Sequence, residues 1–128
     1  MPRFRAWDKI HKTMYEVDDI MSIDFGKSEI SVKTLFFERT NCYNFNDIVL
    51  MQSTGLTDKN GKEIFEGDVV KMAKNVYSEP TCYEVVRHRG GAYRLDSKQY
   101  GCELWLRHTD CEIAGDIYKN PELLEVSS

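Results

Sequence analysis

Residues 81–95 read Thr81-Cys82-Tyr83-Glu84-Val85-Val86-Arg87-His88-Arg89-Gly90-Gly91-Ala92-Tyr93-Arg94-Leu95. Tyr83, Val85 and Arg87 alternate with Cys82, Glu84 and Val86, the period of two that sends successive side chains to opposite faces of a sheet. Gly90-Gly91 then turns the chain into Ala92-Tyr93-Arg94-Leu95, so the stretch predicts a β-hairpin. It sets the expectation of a mainly-β chain, and the segments on either side carry the same signal.

Downstream, Leu104-Trp105-Leu106-Arg107-His108 and residues 111–118 predict two more short strands, the second with Gly115 where a bulge is expected. Asn120-Pro121-Glu122 combines a capping asparagine, a first-turn proline and an acid, which predict one short C-terminal helix. Upstream, residues 50–70 hold the densest turn chemistry of the chain. In Asp58-Lys59-Asn60-Gly61, Asp58 can cap backbone amides while Asn60-Gly61 tolerates positive φ, and Glu66-Gly67-Asp68 forms a second turn before Val69-Val70. Gly55, Asp58, Asn60, Gly61, Gly67 and Asp68 are therefore assigned to a structural turn motif around Ile64-Phe65 that delivers the chain into a small barrel.

The first third reads as two hairpins. Phe4-Arg5-Ala6-Trp7 and Thr13-Met14-Tyr15-Glu16-Val17 flank a polar connection. Met21, Ile23 and Phe25 alternate with Ser22 and Asp24, and after Gly26-Lys27 residues 28–37 place Ile30, Val32 and Thr34 on one face. Asn41, Asn44, Asn46 and Asp47 then crowd a few positions, a composition that satisfies backbone locally and predicts a loop. The organisational break falls there, between an N-terminal hairpin region, residues 1–46, and a barrel with a terminal helical turn, residues 47–128.

The 128 residues carry 17 Lys+Arg against 21 Asp+Glu, and 41% are hydrophobic. A chain of this length buries about two-thirds of its unfolded surface, so its core needs no disulfide or metal. The net charge of −4 disfavours a general nucleic-acid binder, which needs clustered cations. No apolar run approaches the roughly 18 residues that cross a bilayer, and no apolar stretch follows Arg3 and Arg5, so no membrane partner and a cytoplasmic location are expected. Cys42, Cys82, Cys102 and Cys111 form no Cys-x-x-Cys pair and are expected to be free thiols.

Three constellations invite a chemical reading. Cys102, His108 and Cys111 have ligand types that suit zinc, but their spacing fits no common knuckle, and small buried thiols explain them better. Glu63, Glu66 and Asp68 could form a cation site or an acid/base pair. A calcium loop needs acids at alternating positions and a closing glutamate, a pattern that Lys59 and Lys62 break, so turn chemistry is preferred. Residues 69–109 hold seven cations against four acids, interleaved with Tyr77, Tyr83, Tyr93, Tyr100 and Trp105. That is the composition of a stacking surface for single-stranded nucleic acid, with Arg87, Arg89, Arg94 and Arg107 as contacts, although solvated strand faces produce the same alternation. The scattered His11, His88 and His108 accompany no nucleophile motif.

Arg5-Ala6-Trp7-Asp8, residues 51–70 and residues 115–124 together resemble the YopX family of phage and prophage proteins. The resemblance implies an origin in a phage or prophage of a Gram-positive bacterium and an SH3-like small barrel in the C-terminal part. It implies no reaction. The expected fold is N-terminal β-hairpins packed on a C-terminal SH3-like barrel with a short helix. The expected function is that of a non-enzymatic accessory protein, without cofactor, that binds a phage or host protein through loops or edge strands. A second copy of the chain is a further possible partner. A nucleic-acid-binding factor using residues 71–109 is the alternative, and a small hydrolase the third reading.

Overall fold

The structure, a computed structural model, describes residues 3–33, 40–73, 75, 77–88, 91–98 and 100–126. They are mainly β and divide into two compact units, Met1–Gln52 and Ser53–Ser128.

In the first unit, β1 (Phe4–Asp8) pairs antiparallel with β2 (Thr13–Tyr15) and, on its other side, with residues 48–52 of β6 (Ile48–Thr57). The strands β3 (Ile20–Asp24), β4 (Glu29–Lys33) and β5 (Thr40–Asn44) form an antiparallel sheet in that order. Both predicted hairpins are present. Ile30 and Val32 point inward beside Ala6 and Ile48 while Lys33 is exposed, the expected alternation. Removing each branched side chain from water contributes about 1.5–3 kcal/mol.

Two details differ from the sequence reading. The register slips between Ile20 and Ser22, so Ile20 and Ile23 both pack on the core while Met21, the extra residue, is turned out; Phe25 lies in the turn after β3, and the two are 59% and 63% exposed. Asn41 and Asn44 lie in β5 rather than in a loop, because cross-strand pairing with Val32 and Glu29 overrides their local preference. The turn chemistry begins only at Asn44, whose side chain accepts from the Asn46 amide at 2.9 Å as a 3-10 turn starts. Thr34 to Phe37, expected to extend the strand, lie outside the described residues.

In the second unit, residues 53–57 of β6 pair with β7 (Glu63–Phe65). The strands β8 (Asp68–Met72), β9 (Thr81–Arg87), β10 (Tyr93–Asp96) and β11 (Gly101–Glu103) run as a meander. β12 (Glu112–Asp116) returns to pair with β8, giving the order β11-β10-β9-β8-β12. One face is the core. Val70 pairs with Tyr83, Val85 with Leu95, and these four side chains are buried with Ile64, Met72, Leu104 and Cys111.

The hairpin of β9 and β10 stands where the sequence placed it, although Arg89 and Gly90 lie outside the described residues. Gly115 marks a register shift, as expected, and a side chain there would run into that of Asn120. The predicted terminal helix is α2 (Glu122–Val126). The predicted strand at residues 104–108 is instead a helical turn, α1 (Leu104–Arg107), followed by a 3-10 turn at His108–Asp110. A strand would bury Leu106 along with Leu104, whereas this turn anchors on Leu104 alone and leaves Trp105 and Leu106 exposed.

The turn motif is built around carboxylates. Asp58 Oδ1 accepts the Asn60 and Lys62 amides, each at 2.9 Å, and its Oδ2 accepts the Ile113 amide of β12 at 3.0 Å. Burial alone would raise the Asp58 value, but the amides of Ile113, Lys62 and Asn60, with the Lys62 charge, hold it below the usual carboxylate range. Asp68 Oδ2 accepts the Phe65 amide at 2.8 Å across the Gly67 turn. Gly67 has φ of 87°, donates to the Val85 carbonyl at 2.9 Å and accepts from the Ile117 amide at 2.9 Å.

Two outcomes follow for stability. Gly67→Val forces a β-branched residue into the left-handed region and is expected to cost about 1–3 kcal/mol, seen as a lower urea midpoint with the slope unchanged. A depressed folded-state value means that Asp58 stabilises above the unfolded carboxylate value of about 3.9, and that this is lost as pH falls through the lower folded value. Asp58→Asn should therefore cost about 2 kcal/mol at neutral pH, with the gap to the wild type narrowing toward low pH in thermal melts.

Candidate interaction surface

Three acids in and beside the motif accept backbone amides. Besides Asp58 and Asp68, Asp116 Oδ1 accepts the amides of Tyr118 and Lys119 at 2.9 and 2.8 Å. Glu63 accepts from the Ser53 hydroxyl at 2.5 Å. Gly55 and Gly61 take positive φ, and the Gly61 amide donates to the Asp58 carbonyl at 3.0 Å.

The candidate arginines do not form one surface. In the register of β9 with β10, Arg87 stands opposite Tyr93 and Arg94 opposite Val86, so Arg87 and Arg94 lie on opposite faces of the sheet. Arg94 binds Glu103 at 2.8 Å and lies 3.8 Å from Asp96. Arg107 binds Asp110 at 2.9 Å and donates to the Ala73 carbonyl at 2.9 Å. Arg89 is outside the described residues.

Cys82 and Cys111 are buried and Cys102 half-buried, whereas Cys42 is exposed. Burial first, then the neighbouring Cys102 and Asp110, pushes Cys111 up to about 12. Its sulfur contacts Met72 and the Arg107 carbonyl. Burial also raises Cys102, and His108 Nδ1 lies 2.7 Å from the Thr57 carbonyl oxygen. Among the described residues no group of three or more His, Cys, Asp or Glu side chains is arranged to hold a metal ion.

Two arrangements were not anticipated. Asp8 is fully buried and accepts the Ile10 and His11 amides at 2.9 and 3.0 Å, the His11 ring at 2.7 Å and the Tyr15 hydroxyl at 3.1 Å. Tyr15 stacks on Tyr43 with centroids 5.8 Å apart. Burial would raise Asp8, but the bonds from His11, Tyr15 and Ile10 hold it low, and burial with the Tyr43 and Asp8 bonds raises Tyr15. The local part of this turn was legible, since an Asp followed by a polar turn bonds amides two and three residues on, whereas Tyr43 arrives from a distant strand. The second arrangement is a like-charge pair. Glu84 stands directly opposite Asp96, and burial, then the Asp96 charge, raises its value.

A different kind of surface lies along β3. Among the described residues β3 pairs only with β4, leaving its outer edge open. Beside it Phe4, Val17, Ile20, Met21, Ile23 and Phe25 line a groove of ≈ 470 Å³. The Phe25 ring meets Phe4 and Phe45 edge-on, with centroids 6.2 and 5.8 Å apart, so it is held in place although exposed.

Together the two units define a small mainly-β protein with a short C-terminal helix and an open, apolar-lined strand edge. The chain belongs to the YopX family: the family model described as YopX protein matches residues 3–125, in agreement with the resemblance read from its motifs. It is 22% identical over 138 residues to the SPbeta prophage-derived uncharacterized protein YopX of Bacillus subtilis strain 168, covering 95% of each chain. Its structure is similar to the crystal structure of protein EF1440 from Enterococcus faecalis, with a TM-score of 0.63, 30% identity and coverage of 97% of this chain and 98% of that one. It is also similar to the crystal structure of protein yopX from Bacillus subtilis, with a TM-score of 0.68, 25% identity and coverage of 95% and 97%. No helix of the described residues is long and apolar enough to cross a membrane.

Arginines divided between two faces, with Arg94 and Arg107 paired to carboxylates, neutralise few phosphates. Fluorescence anisotropy with a labelled single-stranded oligonucleotide is expected to detect no binding at physiological salt. A micromolar affinity abolished by Arg87→Ala, in a variant that still melts like the wild type, would contradict this.

Proposed function

We propose that this chain is a non-enzymatic accessory protein of prophage type that acts in the bacterial cytoplasm by binding another protein. The observation that carries the reading is the open edge of β3 beside an apolar groove, with Met21 and Phe25 exposed at it. Exposed edges pair with a further strand by main-chain hydrogen bonds, while pockets beside them select side chains. The prophage origin rests on the relative from Bacillus subtilis, whose name carries it.

The absence of a reaction is supported by where the reactive groups lie. Asp8, Asp58, Asp68 and Asp116 are buried and accept backbone amides, and Cys111 sits far from the thiolate form that attacks an electrophile. The order β12-β8-β9-β10-β11, with a 3-10 turn before the last strand, supports an SH3-like barrel for the second unit.

Affinity capture of the tagged chain from host cells, in parallel arms with and without nuclease, tests the reading. The expected result is a stoichiometric protein partner retained in both arms. Loss of everything captured on nuclease treatment would install a nucleic-acid function, and an empty capture would sink the protein-binding role.

A further inference from the structure

We infer that the open edge of β3 receives an extended peptide segment in which about five residues, alternately apolar, are flanked at both ends by Lys or Arg. The inference deepens the protein-binding reading above and rests on it. β3 has five residues, about 17 Å of strand, and its outer backbone groups have no strand partner among the described residues. Alternate side chains of an added strand would project into the groove that Phe4, Met21 and Phe25 line.

The charges beside this edge select the occupant. Asp18 and Asp19 lie in the 3-10 turn immediately before β3, Asp24 ends the strand, and Glu29 stands opposite Asp24 in the register with β4. Residues 16–29 hold five carboxylates against the single cation Lys27, and Asp18, Asp24 and Glu29 are exposed. Arg3 also lines the groove, and the excess of acid survives it. An incoming strand of matching length sets its flanking residues against these acids whichever way it runs, so cations are favoured at both ends. The same arrangement opposes a second copy of the chain. Antiparallel pairing of β3 with itself would bring Asp18 and Asp19 of one copy toward Asp24 of the other, and like charges so placed destabilise a ladder.

The test uses the full chain, isotope-labelled for NMR, titrated with the synthetic peptide Lys-Lys-Val-Thr-Val-Thr-Val-Lys-Lys and with its counterpart carrying Glu at the four flanking positions. The basic peptide is expected to shift the backbone amides of residues 20–24 and to bind about ten-fold more tightly than the acidic one. Met21→Glu should weaken the basic peptide about ten-fold, and Asp18→Lys with Glu29→Lys, which leaves three acids and three cations in residues 16–29, should abolish the preference that the wild type shows between the two. These three side chains are exposed, and an unchanged melting temperature verifies the fold. Equal affinities, shifts confined to other strands, or no binding up to millimolar peptide would overturn the assignment. The same variants in the capture experiment separate the two readings. A partner retained undiminished by them refutes the β3 site and leaves protein binding intact, whereas an empty wild-type capture refutes protein binding itself.

Discussion

The second unit turns on one buried carboxylate. Asp58 gathers the amides of Asn60, Lys62 and Ile113, so a single side chain closes the turn after β6 and fastens that turn to the last strand. Its neighbour Lys59 adds a backbone bond to the Cys111 carbonyl at 2.9 Å, just before β12 begins. A carboxylate taken out of water is costly unless its lone pairs are filled, and backbone donors fill them at fixed positions. The constraint therefore sets register as well as energy. With Ile113 held by Asp58 on one side and paired with Val70 on the other, the bulge before Gly115 has little room to move.

The same device recurs at the other buried aspartates. Asp8 closes the β1–β2 connection, Asp68 the Gly67 turn and Asp116 the turn that leads into α2. Each is an acid that accepts peptide N–H groups, and Asp8 in addition holds the His11 ring and the Tyr15 hydroxyl. Carboxylates left on the surface around β3 have the opposite character. They are solvated, they bracket an open strand edge, and their effect reaches whatever approaches it. Buried acids thus serve the fold while those around β3 set the charge at its edge, a division that composition hides because all of them count equally toward the net charge.

Much of the architecture was legible because strand periodicity and turn chemistry are local. Tyr83 and Val85 alternate with Cys82 and Glu84 in the sequence, and the core face of β9 follows that alternation, although Cys82 on the other face is buried as well. The glycines at 61 and 67 take the positive φ that their neighbours implied. The failures share one cause. Asn41 and Asn44 have loop preferences worth a fraction of a kcal/mol each, and pairing with β4 outweighs them. Leu104-Trp105-Leu106 is an apolar run whose period cannot distinguish a short strand from a helical turn, and the need to anchor Leu104 in the core decides it.

What the sequence determined by itself was therefore the class of fold, most of the strand pairs joined by short turns, the structural role of the motif around Asp58 and Gly67, and the family. What only the tertiary structure decided was which side chains meet across distant segments. Arg87 and Arg94 look like one basic patch along the chain, yet the register of β9 with β10 sends them to opposite faces. Met21 and Phe25 look like core residues by alternation, yet Met21 falls at the slip after Ile20 and Phe25 in the turn beyond β3, and both face solvent beside Phe4. A side chain's face is set by strand register, register is set by partners that lie far away in sequence, and a shift of one residue reverses it.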